Sequence, residues 1–429
     1  MASSAEPVSN GRPASVSNGH PESLPTQYES VRALTVELTG TLMAEDTVVQ
    51  SMPDVSPTKW HLAHVTWFFE RFILEAHVPG YQVFDDRYDF ILNSYYYTAG
   101  QMYARPKRGL LSRPTLVEVL DYRKHVDDAM LHLLSKRGDE DEIAFLATIG
   151  LHHEQQHHEL ILTDIKHVFS CNPMKPAVNP TLPHPPTSQA ATLAFENVAG
   201  GIARIGANSE NFCFDNETPR HDALLHDHRI ANRLVTNGEY LEFIKAGGYS
   251  ESVFWLSDGW ALLNQEAWNR PLYWDEDLEQ EFTLAGMREI DLQAPVAHVN
   301  YFEADAYARW ADARLPTEFE WEHAAAEQSI DGNLFDSGFW HPAASDGGAQ
   351  YFGDVWEWTL SSYAPYPGFK RLEGTLGESN GKFMCNQMTV RGGSCVTSRD
   401  HIRASYRSFF YPAQRWQFLG FRLAKDGHE

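Results

Sequence analysis

The chain has 429 residues, of which 43% are hydrophobic, 13% aromatic and 21% charged; this excludes wholesale disorder and supplies core material for two or three domains. Its 34 Lys and Arg against 58 Asp and Glu give a formal charge of −24, which argues against nonspecific binding to DNA, RNA or anionic membranes. No run of about 18 apolar residues marks a membrane span, and four cysteines without a CxxC pair exclude a disulfide-rich scaffold and point to the reducing cytoplasm.

Residues 1–23 lack the apolar centre of a signal peptide and read as a disordered tail. Residues 24–45 suit one amphipathic helix. Residues 56–77, opened by Ser56-Pro57 and stopped by Pro79-Gly80, suit a second. Pro114 opens a third, to about Lys136, and a fourth runs from about Asp141 to Phe169 with apolar residues at three- and four-residue spacing. Together they predict a four-helix bundle over 24–170. The long connection 79–113 holds DDRYDFILNSYYYTAG and RPKRGLLSRP, and an ordered segment of that length is expected to build or cover a pocket. Six prolines between Pro173 and Pro186 make 171–191 an extended linker or wrapping arm. From 192 to 429, short β pieces, glycines and isolated helices describe an α+β domain rich in loops. The absence of GxGxxG and GxxxxGK[ST] leaves nucleotide binding without support.

The strongest local chemistry is LHHEQQHHEL, residues 151–160. His153 and His157, four apart on a helix, share one face and can share a metal ion. His152 and His158 are turned by about 100° and are the internal competitors. Glu159 is placed to hydrogen-bond a ligand imidazole. His153 to His157 also matches HExxH formally, which would make Glu154 the general base of a zinc hydrolase; the downstream extension of that motif is missing. A third ligand is available from WHLAH, as His61 or His64. Three facial imidazoles leave up to three positions open on octahedral iron, unlike a closed structural zinc site.

WHLAHVTWFFE, FILNSYYY, RGLLSRPT and HHEQQHHEL resemble the DinB-like bundle of the ergothioneine-biosynthesis sulfoxide synthases. FDNETPRH, LPTEFEWEHAA, FGDVWEWT, NGKFMCNQMTVRGGSC and RASYRSFFYPAQRWQFLGFRLA resemble the formylglycine-generating-enzyme fold, related to the C-type-lectin fold. The likeness covers roughly residues 30–426. It implies a non-haem Fe(II) centre held by His64, His153 and His157, with Glu159 completing an HxxxHxE pattern. The implied reaction joins a thiol to the imidazole C2 of hercynine (Nα,Nα,Nα-trimethylhistidine), with O2 supplying the sulfoxide oxygen. The thiol is L-cysteine in one branch and γ-glutamylcysteine in another.

A phenol near the metal can deliver a proton or hydrogen atom. The resemblance places Tyr95 and Tyr96 there in the cysteine-using branch. The γ-glutamylcysteine branch draws its tyrosine from the C-terminal domain, where RSFFYP and RWQF offer no clear counterpart, so cysteine is the expected donor. By the same resemblance Gln156 contacts hercynine. Trp416 offers an aromatic face to its quaternary ammonium, with plain core packing as the rival reading. Arg87 and Arg391 are candidates for a substrate carboxylate, or for holding the domains together. Cys385 and Cys395 could pair in space. Asp354, where relatives carry Asn, and Asp215, Asn216 and Glu217 are candidate Ca2+ positions. The competing readings are an ovothiol-type synthase acting on histidine C5, a zinc hydrolase dependent on Glu154, and a lectin-like binding module with a structural metal.

Overall fold

The computed structural model describes residues 23–208, 211–345, 347 and 349–427; the tail expected at 1–23 lies outside them save for Ser23. Ser23 caps α1 (Leu24–Glu37) by accepting from the Thr26 N–H, with Pro25 in the first turn. The helix is shorter than the span to 45 expected from its pattern. Thr39 donates its hydroxyl to the Val36 carbonyl and the chain turns at Gly40, a side-chain bond that competes with helix continuation.

In α2 (Thr58–Phe69) every side chain is buried, as befits a helix apolar on most faces. It widens into a single π-helical turn at Glu70–Leu74 and finishes at His77. Thr115 and Glu118 form the capping box of α3 (Leu116–Arg137). α4 (Asp141–Cys171) has 31 residues, about 46 Å of helix at 1.5 Å per residue. α1 and α2 each pack against both α3 and α4. Gly150 makes room on α4 for the end of α2: a Cβ there would lie 2.5 Å from the Phe69 ring.

A charged core crosses this bundle. Glu154, fully buried, accepts from Arg32 Nη1 at 2.9 Å and Arg123 Nη2 at 3.0 Å, and also from the Thr35 hydroxyl. Burial alone would raise its pKa, but the two guanidiniums outweigh it and hold the carboxyl at about 2.

The chain from Asn172 to Thr192 has no regular element and behaves as a wrapping arm. Val178 and Leu182 are buried, and the Val178 and Asn179 N–H groups both donate to the Leu284 carbonyl. Beyond it, strand Trp356–Ser362 pairs antiparallel with Met388–Arg391 and parallel with Leu419–Gly420; Ser408–Phe410 adds an outer strand. A second sheet sets His228–Leu234 between Phe195–Val198 and Arg422–Asp426, all antiparallel. Tyr240, Phe243, Tyr307, Trp321, Trp358 and Phe421 fill the core between these sheets and their helices. A separate apolar cluster joins Leu162, Ile165 and Phe169 of α4 to Val355, Val396 and Phe418. The α+β region therefore sits directly on the C-terminal half of α4. Among the described residues no helix is long and apolar enough to cross a membrane.

Candidate metal centre and cavity

One turn of α4 beyond Gly150 brings His153 and His157 to face His64 of α2. One ring nitrogen from each of the three lies within 4.8 Å of the others, and all three residues are buried. Among the described residues this is the sole His, Cys, Asp or Glu group with such geometry. His64 Nδ1 donates to the Leu92 carbonyl at 2.6 Å, which leaves Nε2 without a protein partner. Both ring nitrogens of His153 lack one. Burial pushes the His64 and His157 pKa values well below the usual imidazole range and His153 down to about 4. All three are neutral near pH 7 and present lone pairs. Orphaned buried nitrogens are costly unless something accepts them, and three neutral imidazoles suit a borderline divalent cation. The site thus fits a metal ion.

His153 and His157 border a cavity of about 480 Å³. Tyr95 and Tyr96 line it from the 79–113 connection, as do Gln156 and Glu159 from α4 and Tyr406, Phe409, Phe410 and Trp416 from the α+β region. The same turn orients both ligand and phenols. Leu92 holds His64, while the Asn93 amide accepts from the Tyr96 N–H at 3.0 Å and donates to its carbonyl at 2.9 Å. The Tyr95 and Tyr96 hydroxyls are 3.3 Å apart, and burial raises both pKa values, so both phenols keep their protons. Glu378 clamps this loop from the α+β region. Its carboxylate accepts from the Tyr97 and Thr98 N–H groups, each at 2.9 Å, and Lys382 bridges it to the Tyr95 carbonyl.

This two-part architecture recurs in known proteins. The pattern of the DinB superfamily matches residues 27–161, and that of the Sulfatase-modifying factor enzyme 1-like domain matches 183–345 and 341–427. A hercynine oxygenase of Mycobacterium tuberculosis is 31% identical over 436 positions, covering 95% of this chain and 99% of that protein. The chain belongs to the hercynine oxygenase family. A second such protein, from Mycolicibacterium thermoresistibile, is 31% identical over 406 positions, covering 87% of this chain and 88% of that protein. The formylglycine-generating enzyme of Streptomyces coelicolor is 26% identical over 304 positions, 57% of this chain and 93% of that one.

Within this hercynine oxygenase family member, several side chains do other work than the sequence suggests. Arg87 is 86% exposed and forks onto Asp85, away from the cavity. Arg391 is fully buried and pairs with Glu318 at 3.1 Å and Glu322 at 2.7 Å, with no donor turned to the cavity. Arg105 lines the cavity instead and is exposed. Glu159 bonds no imidazole: it accepts from Trp356 Nε1, from the Ser394 hydroxyl at 3.1 Å and from the Thr397 hydroxyl at 2.8 Å, pinning α4 to the α+β region. Glu154 is turned about 100° around α4 from His153 and is held between Arg32 and Arg123, which occupy the carboxylate that the zinc-hydrolase reading needs as its base. Cys395 is buried and Cys385 exposed, both as free thiols.

The acidic groups considered for Ca2+ act as loop clamps. Asp215 accepts from Asn380 and the Leu372 N–H, and Glu217 pairs with Arg403. Asp354 accepts from the Asn333 and Gln350 amides and the Ala343 N–H. The Trp416 ring borders the cavity while its Nε1 donates to Asp164 at 3.0 Å. Gln156 Nε2 donates to the Tyr406 hydroxyl at 2.7 Å. Tyr406 is thus a C-terminal phenol on the cavity wall, where the sequence suggested none. Asp164 and Tyr406 carried no signal of their own. Arg105 lay in the flagged RPKRG segment, but nothing there separated it from its basic neighbours.

Proposed function

We propose that this protein is an iron(II)- and O2-dependent sulfoxide synthase that joins hercynine, through its imidazole C2, to L-cysteine. The observation that carries the reading is the convergence of His64, His153 and His157, with unpartnered nitrogens, beside a cavity lined by Tyr95 and Tyr96. Family membership over nearly the whole chain supports the same reaction. One C–H and one S–H bond are exchanged for a C–S bond, which releases two electrons. Oxidation of sulfur to the sulfoxide releases two more, and the second oxygen atom of O2 leaves as water. When bound, iron(II) supplies the redox and Lewis-acid chemistry that lets these partners react at one centre.

The protein groups have separable tasks. Gln156 donates to Tyr406, so its carbonyl oxygen is left to accept an imidazole N–H. Trp416, Phe409 and Phe410 offer ring faces to a quaternary ammonium, which has no hydrogen bond to give. Arg105 is the guanidinium on the cavity wall not already paired with a carboxylate and suits a substrate carboxylate. Arg407, also on the wall, is engaged by Glu318. Tyr95 and Tyr96 hold protons at their hydroxyl oxygens, ready for transfer to a reacting oxygen or sulfur. Their place on the wall supports cysteine as the donor, and Tyr406 is a further wall phenol, from the α+β region. Loading the protein anaerobically with Fe(II) and measuring O2 uptake tests the reading: uptake should require both hercynine and a thiol. Uptake without hercynine at the full rate, or none at all, counts against it.

A further inference from the structure

His61, one helical turn before His64 on α2 and a candidate ligand from its sequence, is not among the three histidines whose nitrogens converge. Its two ring nitrogens are both engaged. Nε2 lies 3.0 Å from Asp164 Oδ2, and Nδ1 lies 2.8 Å from His157 Nδ1. Asp164 is buried and fixed by two further donors, the Ser56 N–H at 2.8 Å on Oδ2 and Trp416 Nε1 at 3.0 Å on Oδ1. A carboxylate oxygen only accepts, so His61 must carry its proton on Nε2, and its Nδ1 holds a lone pair. Across 2.8 Å that lone pair requires a proton on His157 Nδ1. His157 is then left with its lone pair on Nε2, the nitrogen free of His61.

We propose that Asp164 and His61 are positioning residues that fix the tautomer of His157 for metal binding, and that Trp416 ties this relay to the α+β region. The proposal rests on the reading of His157 as a metal ligand. It assigns two residues of the helical region and one of the α+β region to a single orienting chain. A ligand imidazole held by an outer carboxylate is a more basic and better-oriented donor. Here a second imidazole is interposed, so the sense of every proton along the chain is set by one carboxylate.

The test has two independent readings. In the apoprotein, ¹⁵N NMR of the histidines should show His61 protonated on Nε2 and His157 on Nδ1. Asp164→Ala removes the acceptor that holds the His61 proton on Nε2, so the His157 proton is no longer confined to Nδ1 and can occupy Nε2, blocking that nitrogen. Titration with Co(II) should then show affinity weakened about 10–100-fold, and His61→Ala should do the same. His61→Asn, whose carbonyl oxygen stands near the place of Nδ1, should recover most of the loss. Finding His157 protonated on Nε2 in the unsubstituted apoprotein overturns the proposal. So do Co(II) affinities within about twofold of the parent for both Asp164→Ala and His61→Ala, well short of the loss expected for an outer partner. If the unsubstituted protein binds no Co(II), the metal-site reading itself fails, while the tautomer assignment is still decided by NMR.

Discussion

Replacing Glu154 with Gln separates the charged core of the bundle from the chemistry of its metal face. Glu154 matches the general base of the formal HExxH pattern, yet Arg32 and Arg123 hold it at 2.9 and 3.0 Å inside the bundle. Removing one partner of such a buried cluster leaves a buried cation less well compensated and costs about 3–5 kcal/mol. Proton linkage gives a similar figure. A carboxyl whose pKa falls from the ordinary 4.5 to about 2 on folding contributes about 3 kcal/mol. Because the folded value is the depressed one, this contribution is full above about pH 4.5. It fades as pH falls and is gone below about pH 2. Urea unfolding of the helical region, followed by circular dichroism, should show Glu154→Gln destabilised by about 3–5 kcal/mol at pH 7. The penalty should shrink on acidification, and the folded variant should still bind one metal ion per chain. A variant within about 0.5 kcal/mol of the parent that had lost catalysis would refute this reasoning and return Glu154 to a catalytic role.

Four other outcomes are expected at the site. His64→Ala should weaken Fe(II) binding by more than the roughly 10–100-fold expected for an outer partner, read by metal titration; full iron loading would remove His64 from the ligand set. Tyr95→Phe, Tyr96→Phe or both should retain iron while slowing coupling by about 10²–10⁴-fold or diverting oxygen to cysteine sulfinate, read by product analysis. Unchanged rate and products in all three variants would exclude the phenols. Glu378→Ala releases two backbone N–H groups of the loop carrying these phenols and should lower the sulfoxide-to-sulfinate ratio at unchanged iron affinity, whereas a structural role alone would leave the ratio fixed. Arg105→Ala should raise the KM for a carboxylate-bearing substrate about 10-fold or more, and Arg87→Ala should not; the reverse pattern would restore Arg87 to the site.

The bundle was legible in the sequence because its helices carry their own punctuation. Pro114, Ser56-Pro57 and Pro79-Gly80 mark ends that the structure respects within a few residues. The end of α1 was not legible, since Thr39 acts through a local side-chain bond that hydrophobic periodicity does not report. His153 and His157 announce themselves by spacing within one helix, and His64 comes to them only through the packing of α2 on α4. Partners set by tertiary structure are harder. His61 and His64 lie on the same short segment, and only the Leu92 carbonyl and Asp164, 28 and 103 residues away, separate their roles. Arg391 and Arg87 illustrate the converse. A guanidinium in a matching motif can be fully occupied by protein carboxylates or stranded on the surface, and charge alone does not distinguish these fates from substrate binding.

Three histidines and the adjoining cavity are proposed to couple hercynine to a thiol. Product analysis by mass spectrometry tests that claim most directly, after anaerobic Fe(II) loading and exposure to O2 with hercynine plus either cysteine or γ-glutamylcysteine. The expected result is a hercynine–cysteine sulfoxide adduct from cysteine, dependent on iron and lost with His64→Ala. An adduct from γ-glutamylcysteine alone would contradict the donor assignment, and no adduct from either thiol would contradict the coupling reaction itself.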